Sequence, residues 1–209
     1  MSTEFRQIDK RASTVLSEIA RSLPPQGLTL RELLERLGER GLLMFSMMLT
    51  LPFLLPVSIP GSSLPFGLII ALNAVGTVTH RSPWLPTRLM NRQLTAEHLV
   101  MVLEKGTRVF ARLEKLIHPR LLLLTHGATF GRLNGILLGF SGILMMAPLP
   151  LPLSNTLPAY GALFLAAGSL ERDGYLIIAG YVMVFLTLVY FGLVALLGGI
   201  GARALLPFL

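Results

Sequence analysis

Two long runs of apolar residues without any charged side chain dominate the pattern of this chain. The first covers residues 41–79 and the second residues 133–170, each about 38 residues long. A helix crosses the hydrocarbon core of a bilayer in roughly 20 residues, so each run is long enough to enter a membrane and return. Prolines interrupt both runs near their middle, where a helix would lose a hydrogen-bond donor. The pattern therefore predicts two helical hairpins, each broken at its tip.

We call the two breaks the first elbow (51–67) and the second elbow (147–161). Leu64-Pro65 in the first aligns with Leu157-Pro158 in the second, at a spacing of about 93 residues. Such an internal repeat, with broken segments at matching positions of the two halves, is typical of a transporter-like site. The elbow residues that we expect to bind substrate are Pro56, Pro60, Gly61, Ser62, Ser63, Pro65, Pro152, Ser154, Asn155, Thr156 and Pro158.

The segments outside the two runs predict amphipathic and membrane-spanning helices. Residues 1–40 have the spacing of amphipathic helices, the second of which begins with a capping box of Thr29 and Glu32. Thr95 is the predicted N-cap of a basic amphipathic helix within 80–120, which lies either on the membrane surface or across the protein's own cytosolic face. Residues 175–199 form the clearest transmembrane span.

These elements predict an all-α integral membrane protein with a single domain, 1–209. Its parts are N-terminal amphipathic helices (1–40), a first hairpin (41–79), a basic interfacial segment (80–120), a second hairpin (121–170) and the transmembrane helix (175–199). The hairpins are expected to be re-entrant, because arms of about 15 residues are short for full spans. Two short full crossings remain an alternative for the first hairpin.

Composition and charge support a membrane location. The chain is 53% hydrophobic and 14% charged, with a net charge of +7 and no cysteine. Residues 80–120 carry eight Lys or Arg against three acidic residues, which favours contact with an anionic lipid leaflet over nucleic acid. The positive-inside rule places this segment and the N-terminus in the cytoplasm. Arg172 alone marks the exit of the second hairpin, and this weak bias favours the outside and hence an inverted repeat.

The elbows are candidates for anion binding. A helix N-terminus leaves backbone N–H groups unpaired and carries partial positive charge, and each returning arm starts just after small polar residues. Asn73 and Arg132 could line the same cavity, although Arg132 beside Gly131 fits the membrane interface better. The alternative interpretation is that the prolines only kink ordinary helices, whose freed backbone groups the polar side chains satisfy.

Other polar residues offer little chemistry. The turn Glu171-Arg172-Asp173 is either a solvated turn with a local ion pair or a relay for protons or ions. The four histidines lack metal-ligand spacing, and no catalytic arrangement or cofactor motif is recognisable, so we expect no metal, no cofactor and no enzyme activity. The glycines of 127–168 are typical of close helix packing within the fold or in a homodimer.

Two motifs resemble the ExoD family of exopolysaccharide-synthesis membrane proteins. The first comprises residues 52–56, 60–61 and 64–72, continued by 81–86, and the second comprises residues 155–159 and 170–174, with Ser154 where the family pattern has glycine. The resemblance covers roughly residues 28–195. It implies a bacterial inner-membrane protein linked to exopolysaccharide production, but no particular reaction.

Three functions are consistent with this reading. The favoured one is a transporter or flippase that binds an anionic substrate, such as a polyprenyl phosphate or a lipid-linked sugar, between the elbows. The second is a non-transporting accessory subunit of a polysaccharide synthesis complex, in which the basic face of 80–120 binds a partner. The third is a membrane enzyme acting on a lipid-linked phosphate, with Arg132 or Arg172 essential.

Overall fold

The computed structural model describes residues 11–54, 63–79, 90–117, 119–125, 127–147 and 151–205. Within these ranges the chain is almost entirely helical, which confirms the predicted all-α class. The helices are α1 (Ala12–Arg21), α2 (Leu30–Thr50), α3 (Ser63–Thr79), α4 (Ala96–Leu116), α5 (Ala128–Met145), α6 (Thr156–Glu171) and α7 (Gly174–Leu205). Short 3₁₀ turns cover Leu51–Phe53 and Leu122–Leu124, and two strands, β1 (Leu28–Thr29) and β2 (Gln93–Leu94), complete the fold.

The two amphipathic helices α1 and α4 pack against each other. Apolar residues at three- and four-residue spacing face the contact, and they are almost fully buried. The buried residues are Ala12, Val15, Leu16 and Ile19 of α1 and Leu99, Leu103 and Phe110 of α4. Of the two predicted alternatives for the basic helix, packing across the protein's own surface is therefore the one found for this face of α4.

Backbone and side-chain hydrogen bonds fix the starts of α2 and α4. The predicted capping box is confirmed: the Thr29 backbone N–H donates to Glu32 Oε2 at 2.8 Å, and the Glu32 N–H donates to Thr29 Oγ1 at 3.2 Å. Thr95 precedes α4 as predicted, but its hydroxyl pairs with His98 Nδ1 at 2.6 Å and does not cap the helix. The antiparallel pair β1–β2, which the sequence did not predict, ties the two starts together.

A glycine bends α2 just before its last two charged residues, Glu39 and Arg40. Gly38 adopts φ 62° and ψ −148° inside the helix, a conformation that costs little only without a Cβ. The bend separates the turn that carries Leu34 from the apolar arm that leads to the first elbow. The sequence predicted one continuous helix here, because a single glycine within a periodic pattern is a weak signal.

The arms of the two hairpins form a closed ring of four helices. α2 contacts α3 and α6, and α5 also contacts α3 and α6. Each of the four arms therefore has two of the other arms as neighbours. α7 packs along α6 on the outside of the ring. The contacts are unchanged if the first hairpin (α2, α3) and the second (α5, α6) are exchanged, as expected for an internal repeat.

Glycines allow α3 and α5 to lie backbone to backbone. A Cβ added at Gly142 would lie 2.7 Å from the Gly67 carbonyl oxygen and 2.9 Å from the Ala71 nitrogen. Further along, Gly139 faces Ala74 and Gly135 faces Val78. The contact thus runs antiparallel, from the elbow ends of both helices to their opposite ends.

The direction of this contact places both elbows at the same end of the bundle. α3 begins at the first elbow beside the end of α5, which leads into the second elbow. At the other end, Arg40 of α2 and Glu171 at the end of α6 line one pocket. α2 therefore runs parallel to α5, and α3 parallel to α6. The inverted arrangement predicted from the charge bias is wrong, because an inverted repeat requires α2 and α5 to run in opposite directions.

Among the described residues, α7 is the helix long and apolar enough to cross a membrane, over Gly174–Gly198. This agrees with the predicted span 175–199. Two arms of the ring, Ser63–Thr79 and Thr129–Met145, are apolar but shorter. Of the seven glycines in 127–168, five contact a neighbouring helix, while Gly127 and Gly131 face open space.

We expect Gly142→Ala to destabilise the protein, while Gly131→Ala on the same helix leaves its stability unchanged or slightly raised. The Cβ at position 142 meets backbone atoms that cannot move aside, a cost of about 1–3 kcal/mol. At position 131 nothing lies within 4 Å, and alanine favours the helix by up to about 1 kcal/mol. Thermal unfolding of both purified variants in detergent tests this prediction. Equal Tm values would contradict the close backbone contact between α3 and α5.

Candidate functional site

The first elbow is described only at its two ends. Pro56, Pro60, Gly61 and Ser62 lie outside the described residues. Ser63 begins α3 and is 3% exposed, whereas Pro65, the third helical residue, is exposed. Before the break, Phe53 packs edge-on against Phe66 with 5.2 Å between ring centroids. This aromatic contact holds the end of α2 against the start of α3.

The second elbow is an irregular turn whose backbone is hydrogen-bonded by protein groups. The Ser154 hydroxyl donates to the Leu151 carbonyl at 2.8 Å, and the Tyr190 hydroxyl of α7 donates to the Pro152 carbonyl at 2.6 Å. Pro152 is exposed, and Leu153 takes the left-handed φ of 67°. Irregular backbone in an apolar setting requires such partners.

The two returning arms start in the same register. Thr156 is the first and Pro158 the third residue of α6, as Ser63 and Pro65 are of α3. The predicted spacing of 93 residues thus holds at the helix starts, and proline occupies a turn where its missing N–H costs nothing. Pro158 lies in the first turn of α6, which follows the N-cap Asn155, so this proline is not a kink within a longer helix.

Both helix starts carry buried polar side chains at the shared elbow end. These residues are Ser63, Ser154, Asn155 and Thr156, and Thr50 closes α2 at the same end. Asn155 is 9% exposed, and its Oδ1 has no hydrogen-bond partner. A buried acceptor without a partner is uncommon and costs free energy, so it is a feature that a ligand or a water can satisfy.

Asn73 lies in the interior of the bundle, at mid-height on α3. Its side chain is 0% exposed; Nδ2 donates to Ser46 Oγ of α2 at 3.2 Å, and Oδ1 has no partner. Ser46 was not among the predicted site residues. It has a counterpart in the second hairpin, because Ser141 is also buried and both serines follow a phenylalanine. This repeated Phe-Ser pair is the sequence signal that would have identified Ser46.

Arg132 is exposed in the early part of α5, far from the elbows. It therefore does not line the interior, which agrees with the interfacial alternative. Among the described residues no group of three or more His, Asp or Glu side chains is arranged to hold a metal ion.

The turn Glu171-Arg172-Asp173 is partly buried: Asp173 is enclosed, while Glu171 and Arg172 are half-buried. Asp173 is 7% exposed, and its Oδ1 accepts a hydrogen bond from the Tyr175 N–H at 2.9 Å. Its backbone N–H donates to the Gly168 carbonyl, and the Gly174 N–H donates to the Arg120 carbonyl at 2.7 Å. Asp173 thus starts α7 and fastens it to the segment after α4.

Glu171 lies at the opposite end of the bundle from the elbows. One carboxylate oxygen, Oε1, is buried without a partner. Burial raises the pKa of this carboxyl above 4.5; nearby Glu114 raises it further, while Arg40 and Arg11 act to lower it. Among the residues that the structure describes, the buried side-chain acceptors without partners are therefore those of Asn155 at the elbow end, Asn73 at mid-height and Glu171 at the far end.

This fold and site define a class: a small helical bundle of two matched, broken hairpins with polar interior groups and a long apolar helix at its side. The chain matches the family model described as "Exopolysaccharide synthesis, ExoD" over residues 12–193. It is 42% identical to Protein ExoD of Rhizobium meliloti (strain 1021) over 192 residues, 91% of this chain and 80% of that protein.

A second relative is an uncharacterized protein of Synechocystis sp., 34% identical over 142 residues, 68% of this chain and 65% of that protein. No solved structure matches the chain. The protein belongs to the ExoD family, as its two sequence motifs predicted.

Replacing Glu171 should change how stability depends on pH. Because its folded pKa is raised, the folded state keeps this proton while the unfolded state loses it, so wild-type stability falls as pH rises from 4.5 toward the folded pKa. Glu171→Gln removes this loss. We expect the Tm difference between the variant and wild type to grow in favour of the variant over that range and then level off.

Glu104→Gln is the charge control for this experiment, since Glu104 is exposed on α4 and does not line the pocket. A pH-independent Tm difference for Glu171→Gln, measured by thermal unfolding in a series of buffers, would show that this carboxyl has no raised pKa.

Proposed function

We propose that this protein is a transporter-like inner-membrane protein of exopolysaccharide synthesis or export. In this proposal it binds an anionic substrate, either lipid-linked or small, between the two elbows, and it is not an enzyme. The family's role in exopolysaccharide synthesis supports the process. The substrate class and the transport rest on the geometry of the elbow end.

The observation that carries the proposal is the meeting of two helix N-termini at one end of the bundle. α3 and α6 both begin there, and both starts are lined by buried hydroxyl or amide side chains, with Ser63 on one and Asn155 and Thr156 on the other. The positive ends of the two helix dipoles favour negative charge at this position. Asn155 Oδ1, a buried acceptor without a partner, can accept a hydrogen bond from a sugar hydroxyl of the substrate.

Polar groups in the interior support the proposed movement of substrate or ions between the two ends of the bundle. Asn73 and Ser46 interrupt the apolar packing between α2 and α3 at mid-height, and Glu171 lies at the far end. Polar side chains inside a membrane-embedded bundle are costly and typically mark a substrate or ion pathway. A proton or ion relay that uses Glu171 is part of this proposal.

The membrane arrangement follows from the charges. The basic segments converge at the end that carries Arg40, Lys115 and Arg120, which we assign to the cytoplasm together with the N-terminus. α3 has 17 residues, or about 25 Å, against a hydrocarbon core of about 30 Å. With parallel hairpins, the elbows then approach the opposite leaflet, and both hairpins enter from the cytoplasmic side.

A second candidate is the accessory subunit of a polysaccharide synthesis complex. The outer face of α4 favours it, because Met101, Val102 and Val109 are each more than half exposed beside the exposed cations Lys105 and Arg108. An apolar and basic face of this kind fits an anionic leaflet or a partner protein. A homodimer is a further proposal of this kind.

The elbow site is tested by binding of a short-chain polyprenyl phosphate to the purified protein in detergent. We expect a saturable rise in the Tm of wild type by several degrees, since a ligand at 100 times its Kd stabilises by about 2.7 kcal/mol. A double variant, Ser63→Ala with Asn155→Ala, should bind at least about tenfold more weakly, the effect of losing about 1.4 kcal/mol of hydrogen bonding.

The matched control is Thr77→Ala with Thr187→Ala. Both hydroxyls are buried and donate to carbonyls of their own helices, those of Ala74 and Met183, so their loss should leave binding intact. Equal affinity of wild type and the elbow variant, or equal loss in the control, would exclude the elbows as the binding site. Binding that the elbow variant loses would then justify a transport assay in liposomes.

A further inference from the structure

A charged pocket of about 460 Å³ lies at the bundle end opposite the elbows. We call it the basic pocket. Segments distant in sequence form its wall: the residue before α1, the bend region of α2, the end of α4 and the turn after α6. Its charged lining residues are Arg11, Arg40, Glu114, Lys115, Glu171 and Arg172. None of the elbow residues lines it, so it is a separate site.

The charge of the basic pocket is positive. Four cations face two carboxylates, which leaves a formal charge of +2 even when both carboxyls are ionised. Glu114 also has a structural role: Oε1 accepts the Ser13 N–H at 2.8 Å, and Oε2 accepts the Ser13 hydroxyl at 2.6 Å. These hydrogen bonds fasten α1 to α4.

Several structural features converge on the pocket. The bend at Gly38 comes two residues before Arg40, and Arg172 adopts the left-handed φ of 55° as the C-cap of α6. Glycine or asparagine normally occupies such a C-cap, and an arginine there pays a conformational cost of about 1 kcal/mol. A strained residue that carries a charge into a cavity is typical of a binding site.

The size and lining indicate the kind of ligand. A volume of about 460 Å³ is that of a small-molecule site and exceeds what a lone phosphate needs. Arginine guanidinium groups bind phosphate oxygens in pairs of parallel hydrogen bonds, and lysine adds a point charge. Ile117, Pro119 and Leu170 provide an apolar wall for the uncharged part of the ligand.

We propose that the basic pocket is a second binding site, which holds the phosphate group of a phosphorylated ligand at the cytoplasmic end of the bundle. The phosphate belongs either to a soluble compound, such as a sugar phosphate, or to the head of a lipid phosphate. This goes beyond the elbow site and does not require transport. If transport does occur, the two sites lie at the two ends of one path.

The test measures binding to the purified full-length protein in detergent by isothermal titration calorimetry. Three probes separate the sources: inorganic pyrophosphate, glucose 1-phosphate and a short-chain polyprenyl phosphate. Soluble probes that bind and are not displaced by the lipid indicate a soluble ligand; displacement by the lipid indicates a lipid head. Both results support a binding site in the basic pocket. If none of the three probes binds saturably, the proposal is wrong.

A pair of lysine variants on α4 gives the matched comparison. Lys115 lines the pocket and Lys105 does not, and both are exposed, so each alanine variant removes the same charge from the same helix. We expect Lys115→Ala to weaken binding at least about tenfold, as for one lost charge-assisted hydrogen bond, and Lys105→Ala to leave it unchanged. Equal loss in both variants would indicate only general attraction by net charge.

Two further variants separate binding from folding. Arg172→Gly deletes the guanidinium but keeps the left-handed C-cap that glycine prefers, so it should still fold while binding at least about tenfold more weakly. Glu171→Gln removes a negative charge from the pocket and should tighten binding by about twofold or more. A gain in affinity cannot result from misfolding, and weaker binding by Glu171→Gln would contradict the proposal.

The elbow variant Ser63→Ala with Asn155→Ala distinguishes this site from the proposed function. It should retain pyrophosphate binding at the basic pocket, even if it has lost polyprenyl phosphate binding at the elbows. Loss of pyrophosphate binding in this variant would show that the anion binds at the elbow end, and the second site would be rejected. If only the elbow proposal is wrong, wild type should still bind pyrophosphate, and Arg172→Gly should still bind it more weakly.

Discussion

The close approach of the α3 and α5 backbones is the constraint on which the rest of the structure depends. Gly67 and Gly142 leave no room for a side chain between the two helices, and the contact continues through Gly139 and Gly135. Because this contact is antiparallel and lies along most of both helices, it sets the relative direction of the hairpins. The shared elbow end, the ring of four arms and the separation of the two polar ends all follow from it.

Between these ends, the interior combines apolar packing with a few polar groups that the fold does not fully satisfy. Several buried hydroxyls, such as those of Thr77, Ser141 and Thr187, bond to carbonyls of their own helices. Asn73, Asn155 and Glu171 each retain a buried acceptor without a partner. Groups of this kind cost stability, which is the reason to connect them with function.

The two ends of the bundle differ in how they are built. At the elbow end, the polarity comes from uncharged hydroxyl and amide groups and from helix N-termini. Burying such uncharged groups in apolar surroundings costs less free energy than burying charges. At the other end, arginine, lysine and glutamate side chains line a cavity to which the end of α4 contributes Glu114 and Lys115. The protein therefore combines a neutral polar end and a charged end in one chain of 209 residues.

The sequence by itself determined the local features: the all-α class, the capping box at Thr29, the start of each returning arm close to Pro65 and Pro158, the apolar span near 175–199 and the family. Each depends on neighbouring residues, through hydrogen bonds within one turn or through the period of apolar positions. Only the tertiary structure decided the parallel hairpins, the Asn73–Ser46 contact, the burial of Asp173 and the basic pocket. These depend on contacts between segments up to about 160 residues apart, whose direction and register the local pattern does not encode, because a glycine-rich helix face fits a partner running either way.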